Sequence, residues 1–147
     1  MIFELKPYES LGPLEFLMTR EQVHENLQLN YIETSSRAVS KNNLTDCFDA
    51  KLFVYYNQND RCIAFEFGLY PDTGTEPMKI LWNGINLSSM NYHDLLEYSK
   101  SIDDSIVIGE EGFDCLKYGY GAWCPDYVYD KSMMPQSLIF FTRGYRD

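Results

Sequence analysis

The alternation of apolar and polar side chains divides the chain into short strands separated by polar turns, with two helical intervals between them. Residues 52–56 and 61–70 are strand-like runs joined by Asn57-Gln58-Asn59-Asp60, four turn formers that predict a hairpin. In the second run Ile63, Phe65, Phe67 and Leu69 share one face, and Cys62, Ala64, Glu66 and Gly68 the other. The larger set is expected to face the core. Residues 79–87 read as a short strand broken by Asn83-Gly84, and residues 105–108, 113–123 and 137–142 as further strands. Residues 1–17 read as an edge strand or extended arm turning at Gly12-Pro13, and the stretches 33–43 and 71–77 as loops.

Both helices announce themselves by their first turns. Thr19 and Gln22 fit a capping box, in which the hydroxyl accepts from the third helical amide while the glutamine reaches back. Met18 and Val23 flank them as a hydrophobic staple, and the helix is expected over residues 20–28 with Val23 and Leu27 buried one turn apart. Asn91 repeats the signal as an N-cap, with Asp94 at the third helical position and a Met90–Leu95 staple. Each helix start precedes a series of strands. The pattern places the chain in the α+β class, one domain over residues 1–147 with two helices packed on antiparallel sheet and a weak two-fold internal repeat.

Composition narrows the function classes. The 147 residues are 45% hydrophobic and 23% charged, ordinary for a folded domain, and 16% aromatic with twelve tyrosines, which favours strands. The net charge of −10 repels nucleic acid and anionic membrane and attracts basic proteins. The first residues lack a basic, apolar leader, and no apolar run approaches the roughly 20 residues of a membrane span, so the expected location is the cytoplasm. Four cysteines without C-x-x-C spacing and two distant histidines argue against zinc, and no phosphate-cradling glycine loop or G-x-S-x-G elbow is present. His24 alone on its helix reads as a boundary residue rather than a base. The expectation is a protein without cofactor, metal or catalytic residues.

The stretch 109–125 stands apart. An acidic turn, Gly109-Glu110-Glu111-Gly112, runs into Phe113, Cys115, Tyr118, Tyr120 and Trp123, punctuated by Gly119 and Gly121. Seven acids between Asp103 and Asp130 face one base, Lys117. Such a mixture suits either a protein-binding face or a core strand with solvated turns at its ends.

Residues 12–23, carrying Gly12, Pro13, Phe16, Met18, Thr19 and Val23, resemble the glycine–phenylalanine–methionine–threonine opening of small bacterial immunity proteins from contact-dependent and polymorphic-toxin competition. The strand pair 52–67, the Asn83-Gly84-Ile85 turn, the run 119–125 and the closing Gly144-Tyr145 resemble later features of that family, in order. Leu17 departs from it, since the family usually has glycine there. Related openings occur in envelope lipoproteins and inhibitors of a two-repeat α+β fold; the leader and cysteine of a lipoprotein are not found here. The resemblance implies a cytoplasmic immunity protein that binds a cognate toxin, a basic nuclease by charge complementarity, and does no chemistry of its own. The expected anchors are Tyr118, Tyr120 and Trp123, inside a rim of Glu110, Glu111, Asp114, Asp126 and Asp130. Asp46, Asp49, Asp72 and Glu76 are second-choice contacts. The opposing reading puts the aromatics in the core, Trp123 above all, and the acids on solvated turns. Two rival functions remain: a non-enzymatic adaptor or peptide-binding module, and a hydrolase using the acid pairs Asp103-Asp104 and Glu110-Glu111.

Overall fold

A computed structural model describes residues 1–35, 44–69 and 78–147. The chain opens with β1 (Ile2–Lys6), β2 (Ser10–Leu11) and β3 (Leu14–Glu15), then α1 (Arg20–Leu27). Four strands follow: β4 (Tyr31–Ser35), β5 (Leu44–Phe48), β6 (Leu52–Tyr56) and β7 (Cys62–Gly68). Next come β8 (Lys79–Trp82), β9 (Ile85–Asn86), a single 3₁₀ turn (Leu87–Ser89) and α2 (Tyr92–Ile102). The last four strands are β10 (Val107–Ile108), β11 (Gly112–Cys115), β12 (Tyr120–Trp123) and β13 (Ser137–Phe141). The class is α+β, and mostly sheet.

Both helix starts form as their sequences dictate. Thr19 Oγ1 accepts from the Gln22 amide at 3.2 Å and Gln22 Oε1 accepts from the Thr19 amide at 2.9 Å, completing the box. Asn91 Oδ1 accepts from the Asp94 amide at 2.8 Å. Each cap is worth about 1 kcal/mol. The first helix ends where Gln28 turns left-handed at φ 52°.

The strands assemble into two sheets. The larger has the order β10-β11-β12-β13-β7-β6-β5-β4 and is antiparallel throughout. The chain therefore lays down a helix and four consecutive strands twice, and the two runs meet where β13 pairs with β7. The smaller sheet runs β3-β2-β1-β8-β9, and in it β1 pairs in parallel with β8. Residues 1–17 are thus no edge arm, because β1 lies inside the small sheet. Residues 33–35 end a strand where a loop was expected; 36–43 and 70–77 lie outside the described residues. The run 113–123 is two strands, since Gly119 at φ 74° closes a turn between them. Its missing side chain also admits Tyr8, whose ring would lie 2.8 Å from a Cβ there.

One face of the large sheet is apolar and buried. Phe113, Ala122, Leu138, Phe67 and Leu52 line up across five strands, and Cys115, Tyr120, Phe140, Phe65 and Val54 form the adjacent row. Each large side chain buried in this way contributes roughly 1.5–3 kcal/mol. Rings of the small sheet and its following segment meet this face: Phe3 packs edge-on to Phe67 at 5.1 Å, and Phe16 stacks on Phe65 at 4.9 Å. From α2, Tyr92 packs on Phe113 at 5.6 Å and Ser99 hydrogen-bonds Tyr120 at 2.6 Å. Phe65 and Phe67 point inward as the alternation predicts. The register then slips at Tyr55/Tyr56, where Ile63 is an extra residue, and the bulge turns Cys62 into the core as well.

Candidate functional site

The opposite face of the large sheet carries a different set of side chains. Register places Gly112, Trp123, Ser137 and Gly68 in one row across β11, β12, β13 and β7. The next row reads Asp114, Gly121, Ile139, Glu66 and Phe53. Small residues in the first row leave the Trp123 indole standing clear, and glycine in the second leaves a floor. The result is a trough of about 780 Å³ bounded by Glu110, Glu111, Asp114, Glu66, Tyr55 and the 145–146 tail.

Two glycines make the trough possible. A Cβ on Gly121 would lie 2.3 Å from Asp114 Oδ1 and 2.7 Å from the Phe113 carbonyl oxygen. One on Gly112 would lie 2.1 Å from the Ala122 carbonyl oxygen. The Asp114 carboxylate therefore lies over β12 because β12 has no side chain at residue 121.

Four carboxylates line the trough against one guanidinium, and they differ in what they touch. Asp114 is paired with Arg146, Nε to Oδ2 at 3.2 Å, while Arg146 also lies over the Phe141 ring at 5.4 Å and the Tyr145 ring at 5.2 Å. Glu66 accepts from the Tyr55 hydroxyl through Oε1 and from Ser137 Oγ at 2.9 Å through Oε2. Burial raises the Tyr55 phenol far above its ordinary value, and the Glu66 hydrogen bond and charge raise it further, so Tyr55 remains a donor. Glu111 accepts the Trp123 indole N–H at 3.4 Å. Glu110, exposed on the turn, has no side-chain partner among the described residues.

The anticipated residues divide. Trp123, an expected anchor, is 44% exposed, which goes against the opposing reading that put it above all in the core. Tyr120 is the reverse: it is 1% exposed, with its hydroxyl committed to Ser99, so it is a core residue and not a surface anchor. Tyr118 is half-buried against Trp82, ring centroids 4.8 Å apart. Odd and even positions of β12 face opposite ways, which is why Tyr120 and Trp123 part company. Asp126 and Asp130 are exposed on the loop after β12, outside the trough, and Asp130 accepts from the Ser132 amide and hydroxyl, which lower its pKa. Asp49 is half-buried at a turn of φ 50°, and Asp72 and Glu76 lie outside the described residues.

Asp46 is no surface contact either. It is fully buried, bound by Arg20 Nε at 3.0 Å and Nη2 at 2.7 Å, His24 Nε2 at 2.6 Å and the Tyr56 hydroxyl at 2.8 Å. Burial alone would raise its carboxyl, but the hydrogen bonds from Arg20, His24 and Tyr56 outweigh that and hold it below the ordinary range. The cluster ties α1 to β5 and β6. Of the acid pair Asp103-Asp104 only the first is similarly occupied: Asp103 is buried and accepts from the Ser105 amide and hydroxyl and the Lys117 amide, while Asp104 is exposed.

Glu66, Tyr55, Tyr145 and Arg146 belong to the trough and were not anticipated. A lone carboxylate in the apolar run 62–68 was the available signal. Val128 and Tyr129, which no sequence pattern singles out, are 69% and 86% exposed on the loop that follows Trp123. Among the described residues no group of histidine, cysteine and carboxylate side chains is placed to hold a metal, and no helix is long and apolar enough to cross a membrane. No protein-family model, curated protein or solved structure matches the chain.

Proposed function

We propose that the chain is a cytoplasmic immunity protein that neutralises a basic toxin, a nuclease domain by charge, through stoichiometric binding and without catalysis. The observation that carries this reading is the trough: an exposed indole among carboxylates on a sheet face that the 145–146 tail borders but does not fill. In this reading both helices are packed on the sheet, and each helix with its four strands is one half of an internal repeat. The repeat leaves one broad acidic face for the partner.

A complex of ordinary size buries about 1,600 Å² in total, and tryptophan with tyrosine anchors inside a polar rim is its usual composition. Of the aromatics singled out in the sequence, Trp123 is the anchor on this face, with Glu110, Glu111 and Asp114 as the inner rim; Tyr118, packed on Trp82, lies outside the trough. Asp126 and Asp130, with Val128 and Tyr129 between them, extend the contact beyond the trough.

Co-expression with a toxin domain encoded beside its gene tests the function. Cells are expected to survive, and the two proteins to elute together at equal stoichiometry. Killing that is undiminished by co-expression overturns the reading. A housekeeping partner recovered instead would move the protein to the adaptor class.

A further inference from the structure

The trough carries a narrower statement about what it recognises, and that statement rests on the reading of this face as the partner's. We infer that the trough is a guanidinium site, receiving an arginine side chain of the partner on the Trp123 indole between Glu111 and Glu66.

The chain already holds one guanidinium in this way. Arg146 has Asp114 at its edge and the Phe141 and Tyr145 rings beneath it, at 5.4 and 5.2 Å. Aromatic faces below and a carboxylate in plane are the arrangement a delocalised, planar cation prefers. The other end of the trough repeats those parts without the cation. Trp123 is the aromatic platform, with its N–H turned to Glu111 at 3.4 Å. On its other side stands Ser137, the register partner of Trp123, whose hydroxyl donates to Glu66 Oε2 at 2.9 Å. Carboxylates therefore flank the indole on both sides.

The charge balance favours a cation here and not at Asp114. Arg146 neutralises Asp114, whereas among the described residues Glu66 is met only by neutral hydroxyl donors and Glu111 only by an indole N–H. Glu110 stands at the rim without a side-chain partner among the described residues. Tyr55 and Ser137 fix the Glu66 carboxylate before any ligand arrives, so little ordering is required on binding. A lysine would satisfy the charge but neither the stacking surface nor the paired donors.

The test titrates the intact protein with end-blocked triarginine, trilysine and tricitrulline, following the indole N–H signals by NMR. There are two tryptophans, and Trp123→Phe assigns them. Triarginine is expected to shift the Trp123 signal and leave the buried Trp82 signal in place, with trilysine several-fold weaker and tricitrulline silent. Glu111→Gln and Glu66→Gln should each weaken triarginine by about threefold, the value of one exposed cation contact. Glu25→Gln, an exposed acid on α1, should not. Urea midpoints of the three variants within error of wild type establish that folding is intact. Equal binding of triarginine and trilysine, or an equal loss in Glu25→Gln, reduces the effect to general attraction by a polyanion and overturns the site. So does a silent Trp123 signal. Toxin rescue that survives Trp123→Leu and Glu111→Gln retires the arginine site alone; failure of rescue by the wild type retires the neutralising role alone, because the peptide titration does not use the toxin.

Discussion

Leu17 stands at φ 71°, half exposed, where the resembling family usually has glycine. Its amide donates to the Cys62 carbonyl at 2.8 Å and its carbonyl accepts from Arg61 Nη1 at 3.2 Å, so the turn before α1 is held in place despite the poor fit of a branched side chain. A left-handed L-residue costs roughly 1–2 kcal/mol, and glycine gives back part of that through a freer unfolded chain. Leu17→Gly is therefore expected to stabilise by about 0.5–1 kcal/mol, read as a rise in urea midpoint at unchanged slope. Asp46 works in the other direction. Asp46→Asn removes the buried charge that Arg20, His24 and Tyr56 all bind and should cost about 3 kcal/mol. Because the folded carboxyl titrates below its ordinary value of 3.8, its contribution is complete above that pH and is lost as pH falls through the folded value. The wild type should accordingly lose stability steeply below about pH 4, with a shallower acid limb in Asp46→Asn in urea titrations at stepped pH.

At the scale of elements, what was legible was what is local. The capping residues Thr19, Gln22 and Asn91 act within four residues of themselves, and both helices start where they indicate. The Asn57–Asp60 turn and the Asn83-Gly84 turn likewise sit between paired strands, β6 with β7 and β8 with β9. Pairing across the chain was not legible. Nothing in residues 2–6 announces a parallel partner at 79–81, and nothing in 62–64 announces a bulge. The same limit governs the site. The acids of 110–114 and the aromatics of 118–123 were recognisable as residue types, but Gly119 sets the phase of β12, and that phase sends Trp123 outward and Tyr120 inward. Glu66 and Arg146 reach the trough only through the β7–β13 register and the fold-back of the tail. Gly121 is the element-scale test. Gly121→Ala brings a Cβ against both Asp114 and the Phe113 carbonyl, and should destabilise by about 2 kcal/mol in chemical denaturation. Adding Asp114→Ala removes only the side-chain half of the clash, so the double variant should recover only part of the loss.

For the molecule as a whole, the net charge of −10 and its uneven placement set how partners approach. A field of this size accelerates encounter with a cation and is screened over about 10 Å at 0.1 M salt. Replacing Glu110 and Glu111 with lysine reverses two exposed charges on the trough's rim. Stopped-flow association with the proposed basic partner should slow several-fold at low salt, and the ratio of wild-type to variant rates should fall toward one as salt rises. A ratio insensitive to salt would place the encounter surface elsewhere. The same large sheet also fixes the order in which the molecule can be completed. Its last strand in sequence, Ser137–Phe141, is inserted between β12 and β7 near the centre rather than added at a margin. A chain in which this strand is not yet in place has β12 and β7 each with an unpaired border of open backbone N–H and C=O groups, and residues 137–141 join the two. A pause in translation short of that point would hold both borders open to other nascent chains, which makes this segment the natural place for a holding chaperone to act.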